Sequence, residues 1–139
     1  MQDISFKEIV ERINKFKLPQ FDLVVGIAEG GQVPAGIIAY KLGVELKVIR
    51  ISFRDAANTP LYNTPKLLSD IKDIKDQSIL LVDDVSVSGK TLQTAKDALK
   101  DNIIKTLTLK GKADYVIFPE ISDCVKWPWK VYSDKSEGR

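Results

Sequence analysis

Apolar residues in this chain fall into short, nearly unbroken runs, separated by segments in which they recur every three or four positions. Ser5-Phe6-Lys7-Glu8 has the form of a capping box, and Ile9, Val10, Ile13 and Phe16 follow at helical spacing. That predicts an amphipathic helix ended by Pro19. Phe21–Ile27 is almost continuously apolar, as expected of a strand covered on both faces. A small-residue loop, Ala28–Gly31, leads into a helix from about Val33 that stops at Gly43. Glu45–Ile51 is a second strand, and Ser78–Val82 is the clearest buried one. A helix is expected over Lys90–Lys100, then strands at Ile103–Leu109 and Tyr115–Phe118. Alternating strands and helices imply an α/β fold, a mostly parallel doubly wound sheet with helices on both faces. No repeat or linker divides the chain, so residues 1–139 read as one domain.

Two stretches differ in texture. Phe53 to about Gln77 carries Asn58, Thr59, Pro60, Asn63, Thr64 and Pro65, which makes it a candidate lid. Ser133–Arg139 is a polar tail, expected to be loose. In open parallel sheets, ligands collect at the carboxyl ends of strands where the chain order switches. Ala28–Gly31 and Asp83–Thr91 both fall at such ends.

The segment Ile79–Thr91 carries the strongest chemical signal. Four apolar residues, Ile79-Leu80-Leu81-Val82, bury a strand, and Asp83-Asp84 follow where it should emerge. Val85-Ser86-Val87-Ser88-Gly89-Lys90-Thr91 then forms a turn opening a helix. A helix N-terminus offers unpaired amides and a partial positive charge, which together favour a phosphate. Amides of Ser88, Gly89, Lys90 and Thr91 would form the cup, with hydroxyls from Ser86, Ser88 and Thr91. Carboxylates repel phosphate but accept hydrogen bonds from sugar hydroxyls and ligate Mg²⁺. Together these describe a ribose 5-phosphate with a cation on its far side. Taken singly, such acids can be merely solvated and Ser-Gly merely capping; their order along one segment is what points to a phosphate. A P-loop does not fit, because Asp84 stands where its first glycine must be.

Composition narrows the chemistry further. The chain has no histidine, which excludes imidazole bases, Ser-His pairs and histidine metal ligands. Its single cysteine, Cys124, can form neither an internal disulfide nor a thiolate zinc site. Twenty-one basic against nineteen acidic residues leave a net charge of +2, with the signs interspersed. No basic stripe marks a nucleic-acid partner, and no apolar run approaches membrane-spanning length. The expected setting is a reducing cytoplasm.

At Ile79–Thr91 the sequence closely resembles the type I phosphoribosyltransferase family, whose signature is four apolar residues, two acids, a short turn and G-x-T. Val24–Ala35, containing Glu29, Gly30 and Gly31, looks like the family's pyrophosphate loop. Ile51-Ser52-Phe53-Arg54-Asp55 resembles the start of its flexible loop, which implies substrate contacts for Ser52 and Arg54. The C-terminal part is most like the short microbial xanthine, guanine and hypoxanthine phosphoribosyltransferases. Lys112-Ala113-Asp114-Tyr115 matches their Lys-Pro-Asp-Tyr, whose lysine faces the 6-oxo group of the purine; a solvated surface lysine is the plainer alternative. Trp127-Pro128-Trp129 resembles their closing aromatic-Pro-Trp, although core packing is the plainer reading of both tryptophans.

The resemblance implies a small C-terminal hood, a homodimer, Mg²⁺ as cofactor, and phosphoribosyl pyrophosphate with a purine-like base as substrates. Ribosyl 5-phosphate would pass to a ring nitrogen and pyrophosphate would leave. Asp83 and Asp84 would hold the ribose hydroxyls and the cation. Three positions depart from the purine pattern. Val87 stands where an acid contacts the base nitrogen, Cys124 where an aromatic stacks on the base, and Glu29 where arginine is common. These departures motivate an alternative, a non-catalytic nucleotide or phosphoribosyl pyrophosphate sensor with the same fold. Nothing in the pattern selects the base.

Overall fold

The computed structural model describes residues 1–52, 66–67, 71 and 73–130. Four parallel strands form its centre: β2 (Leu23–Ala28), β3 (Glu45–Ser52), β5 (Ser78–Ser86) and β6 (Ile103–Gly111). A two-residue β4 (Lys66–Leu67) runs antiparallel on one edge, and β7 (Tyr115–Val116) is parallel on the other. The sheet order is β4-β3-β2-β5-β6-β7. Helices α1 (Phe6–Lys15) and α2 (Gln32–Leu42) pack with one face, while α3 (Lys90–Ala98) packs with the other. This is the α/β doubly wound arrangement expected from the sequence.

Alternation along β5 explains why its residues read as a continuous apolar run. Leu80 and Val82 join Ile9, Ile13, Ala35, Ile38, Leu107, Leu109 and Phe118 in one core layer. Ile79 and Leu81 join Leu23, Val25, Ile27, Ile49, Leu92, Ala95 and Leu99 in the other. Both faces are covered, so no position on the strand could be polar until its carboxyl end. Each fully buried aliphatic side chain of this kind contributes roughly 1.5–3 kcal/mol.

Several boundaries differ from the sequence-based expectations. Helix α1 stops at Lys15, with the Phe16 amide bonded back to Arg12 and Ile13, well before Pro19. Helix α3 ends at Ala98 and not at Lys100. Strand β5 does not end at Val82: it stays paired with β6 through Asp83 and out to Ser86↔Gly111. Strand β7 is cut to Tyr115–Val116, although Ile117 and Phe118 still donate to the Thr108 and Leu109 carbonyls. The stretch expected to be a lid is anchored at its end. Ile74 is buried in a core layer, and Gln77 is held between Asn102 and Ile103. Residues 53–65 of that stretch lie outside the described residues, as does the tail Ser133–Arg139.

A two-stranded parallel sheet joins the chain ends: β1 (Gln2–Asp3) pairs with β8 (Val125–Lys126). Beside it Trp127 is buried and stacks on Trp129 at 5.7 Å between ring centroids, and Phe6 meets Trp129 edge-on at 6.5 Å. Among the described residues, no helix is long and apolar enough to cross a membrane.

Arg12 of α1 ties this region to the helical layer. Its two terminal nitrogens each donate to one oxygen of Glu120 at 2.9 Å, one of them also reaches the Ile117 carbonyl at 2.7 Å, and the guanidinium lies 4.4 Å over the Phe118 ring. Hydrogen bonding from Arg12 holds the Glu120 carboxyl down at about 2. A lowered carboxyl stabilises the fold above its unfolded value, and that contribution disappears as pH falls through the folded one. Acid melts should therefore show a steeper loss between about pH 4.5 and 2 in the native chain than in Glu120→Gln, with the variant melting lower at neutral pH. Superimposable pH profiles would contradict this role of the pair.

Candidate active site

Strands β2 and β5 are neighbours, yet their onward connections leave in opposite directions, to β3 on one side and β6 on the other. A crevice therefore opens at their carboxyl ends. The turn after β2 closes tightly over it. A Cβ placed on Gly31 would stand 2.5 Å from the Val82 carbonyl oxygen and 2.8 Å from Asp83 Cα. One placed on Gly30 would overlap the Asp84 carboxylate. Glycine at both positions lets the backbone lie directly on the two acids. The Ala28–Glu29 peptide within this turn is cis.

Asp83 and Asp84 are both buried, with 8% and 7% of their surfaces exposed. This corrects the expectation that they stand where the strand emerges. The β5–β6 ladder continues past them, and their inner oxygens are used locally. Asp83 Oδ1 accepts from the Asp84 amide and Asp84 Oδ1 from the Val85 amide, each at 2.8 Å. Asp84 Oδ2 faces Lys130 Nζ at 2.9 Å. Burial, and then the charge of Asp84, push the Asp83 carboxyl up to about 8.

Two helices begin at this edge. Helix α2 starts after Gly31 and α3 after Gly89, and neither has a side-chain cap or an acid in its first turn. Gly89 has φ 82°, a left-handed conformation that turns the chain sharply into α3. Ser88 Oγ accepts from the Lys90 amide at 3.3 Å, a long contact that an incoming phosphate oxygen can replace. Thr91 is half-buried at the helix start. Ser86 belongs to the strand and not to the turn; its hydroxyl is buried and has no partner among the described residues. Val85 is half-buried, whereas Val87 is 76% exposed.

The remaining expected residues divide. Lys112 is brought to the site, because its amide donates to the Ser86 carbonyl at 2.9 Å, and its side chain is exposed. Its neighbour Asp114 is structural, bonded to the Thr106 amide at 2.8 Å and to the Thr106 hydroxyl. Glu29 is exposed and pairs with Arg50 of β3 at 3.4 Å. Its charge thus has a cation beside it, although an exposed pair of this sort contributes only ~0–1 kcal/mol. Ser52 ends β3 opposite Lys66, and Arg54 lies outside the described residues. Cys124 is exposed in the hood, where its carbonyl accepts from Gln2 at 2.8 Å, and no described contact joins it to the acids. Sequence reasoning missed Arg50 and Lys130. Arg50 pairs with Ala28 in the β2–β3 register, so strand pairing could have found it. For Lys130 the sequence carries no such signal.

Among the described residues, no group of three or more acidic or cysteine ligands surrounds a point. Two adjacent carboxylates suit Mg²⁺ in a different manner, since that ion is commonly held by one or two carboxylates, water and substrate phosphates. The donor set fits a cation that arrives with a phosphorylated ligand.

The family model for the phosphoribosyl transferase domain matches residues 5–134. The chain is 35% identical over 95 residues to an orotate phosphoribosyltransferase of Sulfurisphaera tokodaii, covering 68% of this chain and 45% of that protein. It is 33% identical over 102 residues to the transcriptional regulator GfcR of Methanothrix thermoacetophila, covering 73% of this chain and 50% of that one. The chain thus spans about half the length of the curated relatives it matches. A purine phosphoribosyltransferase structure from Pyrococcus horikoshii superposes with a TM-score of 0.73 at 26% identity, covering 95% of each chain. With its signature, its crevice and these likenesses in agreement, the chain belongs to the phosphoribosyltransferase family.

Proposed function

We propose that this chain, as a single domain, transfers ribosyl 5-phosphate from phosphoribosyl pyrophosphate to a ring nitrogen of a purine-like base and releases pyrophosphate. The observation that carries this reading is the packing of Gly30 and Gly31 onto Asp83 and Asp84 between two helix starts whose cap residues, Gly31 and Gly89, have no side chain to offer. It sets hydroxyl-accepting carboxylates between two anion-attracting termini, as a diphosphorylated sugar requires.

Each part of the site then has a task. Amides of Ser88, Gly89, Lys90 and Thr91, with the Thr91 hydroxyl, hold the 5-phosphate. Asp83 and Asp84 accept hydrogen bonds from the ribose hydroxyls and fix the sugar as positive charge builds on its ring. The Ala28–Gly31 turn presents its backbone to the pyrophosphate, with Arg50 balancing Glu29. Lys112 reaches the edge of the base beside Ser86. Bound Mg²⁺ would neutralise the departing pyrophosphate. Such a reaction needs no protein nucleophile, in keeping with a chain that lacks histidine.

A second reading, a non-catalytic sensor of phosphoribosyl pyrophosphate or nucleotide, is favoured by one feature. Val87 is exposed at the position where purine enzymes carry the base-contacting acid, and a valine cannot exchange a proton. The likeness to the GfcR regulator supports it too.

Supplying phosphoribosyl pyrophosphate, Mg²⁺ and a panel of hypoxanthine, guanine, xanthine, adenine and orotate is expected to release pyrophosphate with one of them. Orotate is included because of the Sulfurisphaera relative. Stabilisation by the sugar without turnover on any base would select the sensor. Ligand at about one hundred times Kd should raise stability by ~2.7 kcal/mol, and the double change Asp83→Asn with Asp84→Asn should abolish that gain. Undiminished stabilisation in the double variant would remove both acids from the sugar site. Asp83→Asn alone should act in opposite directions on the two states. It removes a carboxyl that burial forces to take up a proton on folding at neutral pH, so the ligand-free melting temperature rises by a few degrees, the scale of ~1 kcal/mol, while the sugar-dependent gain shrinks. A lower ligand-free melting temperature would show that the carboxylate is a net support of the fold.

A further inference from the structure

Lys130 makes a contact that the reaction does not obviously require. Its ammonium stands 2.9 Å from Asp84 Oδ2, an oxygen on a side chain only 10% exposed, while the lysine side chain is 43% exposed. The carboxylate has little freedom. Its other oxygen is taken by the Val85 amide, and the Gly30 backbone lies against it closely enough to exclude even a methyl group. Oδ2, by contrast, is buried and accepts no hydrogen bond among the described residues, so the Lys130 charge is what it faces and it is the oxygen with acceptor capacity left for an arriving cation.

Lys130 is also well anchored at its root. Its amide donates to the Trp127 carbonyl at 3.2 Å, and the Trp127–Trp129 stack precedes it directly. The backbone is fixed there, whereas the lysine side chain is 43% exposed and long enough to swing its ammonium towards water. A buried carboxylate with a removable cation is suited to exchange, since two positive groups cannot share one oxygen without repulsion.

We propose that Lys130 is an internal counter-cation, holding the outer oxygen of Asp84 until a divalent cation carried by a diphosphorylated sugar takes its place. The inference rests on the reading of Asp83 and Asp84 as the sugar and cation carboxylates. Lys130 is then a positioning residue. It keeps the acid pair from repelling an anionic ligand in the absence of Mg²⁺, and it competes with Mg²⁺ when the ion is present. Removing it should weaken binding of the metal-free sugar and strengthen binding of the metal complex.

The test is calorimetric titration of phosphoribosyl pyrophosphate, with and without Mg²⁺, into the native chain, Lys130→Gln and Lys130→Arg. The quantity read is the ratio of the two dissociation constants, which a purely structural role would leave unchanged. Lys130→Gln is expected to raise the metal-dependence of binding by at least about tenfold, or ~1.4 kcal/mol, with Lys130→Arg close to native. An equal ratio in native and Lys130→Gln overturns the proposal. A native chain that binds the sugar under neither condition overturns the underlying reading instead. A second measurement needs no disruptive variant. The ¹⁵N-detected ammonium signal of ion-paired Lys130, identified by its loss in Lys130→Arg, should persist with sugar alone and vanish with sugar plus Mg²⁺. Persistence in both states would equally overturn the exchange.

Discussion

The contact between the β2–α2 turn and the end of β5 governs the rest of this molecule. Gly30 lies on the Asp84 carboxylate and Gly31 on the Val82 carbonyl, so the turn meets the strand end as backbone against acid and carbonyl. That contact exists because β2 and β5 are adjacent and parallel with Leu23 opposite Ile79. The register carries the turn to the level of Asp83–Asp84, and the core layers on both faces hold it there. Any side chain at residue 30 would displace the carboxylate, and with it the Lys130 pairing.

Burying two adjacent carboxylates is costly, and the surroundings show how the cost is limited. Each acid accepts an amide of the next residue, Lys130 meets the outer oxygen of Asp84, and two helix starts without acidic residues flank the pair. Asp83 still titrates far above an ordinary aspartate because burial outweighs these contacts. The pair is therefore held at a cost in the ligand-free chain, with Asp84 Oδ2 buried and accepting no hydrogen bond among the described residues. A binding site assembled for a hydroxylated, phosphorylated ligand has that character, since its stabilising partners arrive from outside.

Much of this was legible in the sequence, for identifiable reasons. Continuous apolar runs announced β2 and the first half of β5 because both faces of the sheet are covered. Gly43 marked the end of α2, and Ser5 the start of α1. The acid pair and the glycine at the opening of α3 were visible because their chemistry is local. What escaped was set by partners distant in the chain. Asp83–Ser86 is strand because β6 offers a ladder, a fact no polarity pattern in β5 encodes. Strands of two residues, such as β1 and β8, have no periodicity to read. Lys130 meets Asp84 across forty-six positions of sequence, following directly on the tryptophan stack, and no local pattern encodes that meeting.

The central claim is that one crevice, between β2 and β5, holds a pentose by its 5-phosphate and its hydroxyls. A crystal structure of the chain with ribose 5-phosphate tests it most directly. The phosphate is expected on the backbone amides of Ser88–Thr91, with the sugar's 2- and 3-hydroxyls donating to Asp83 and Asp84. A ribose 5-phosphate bound elsewhere, for instance at the amino-terminal ends of the central strands near Asp22 and Asn102, with that crevice bare, would contradict it.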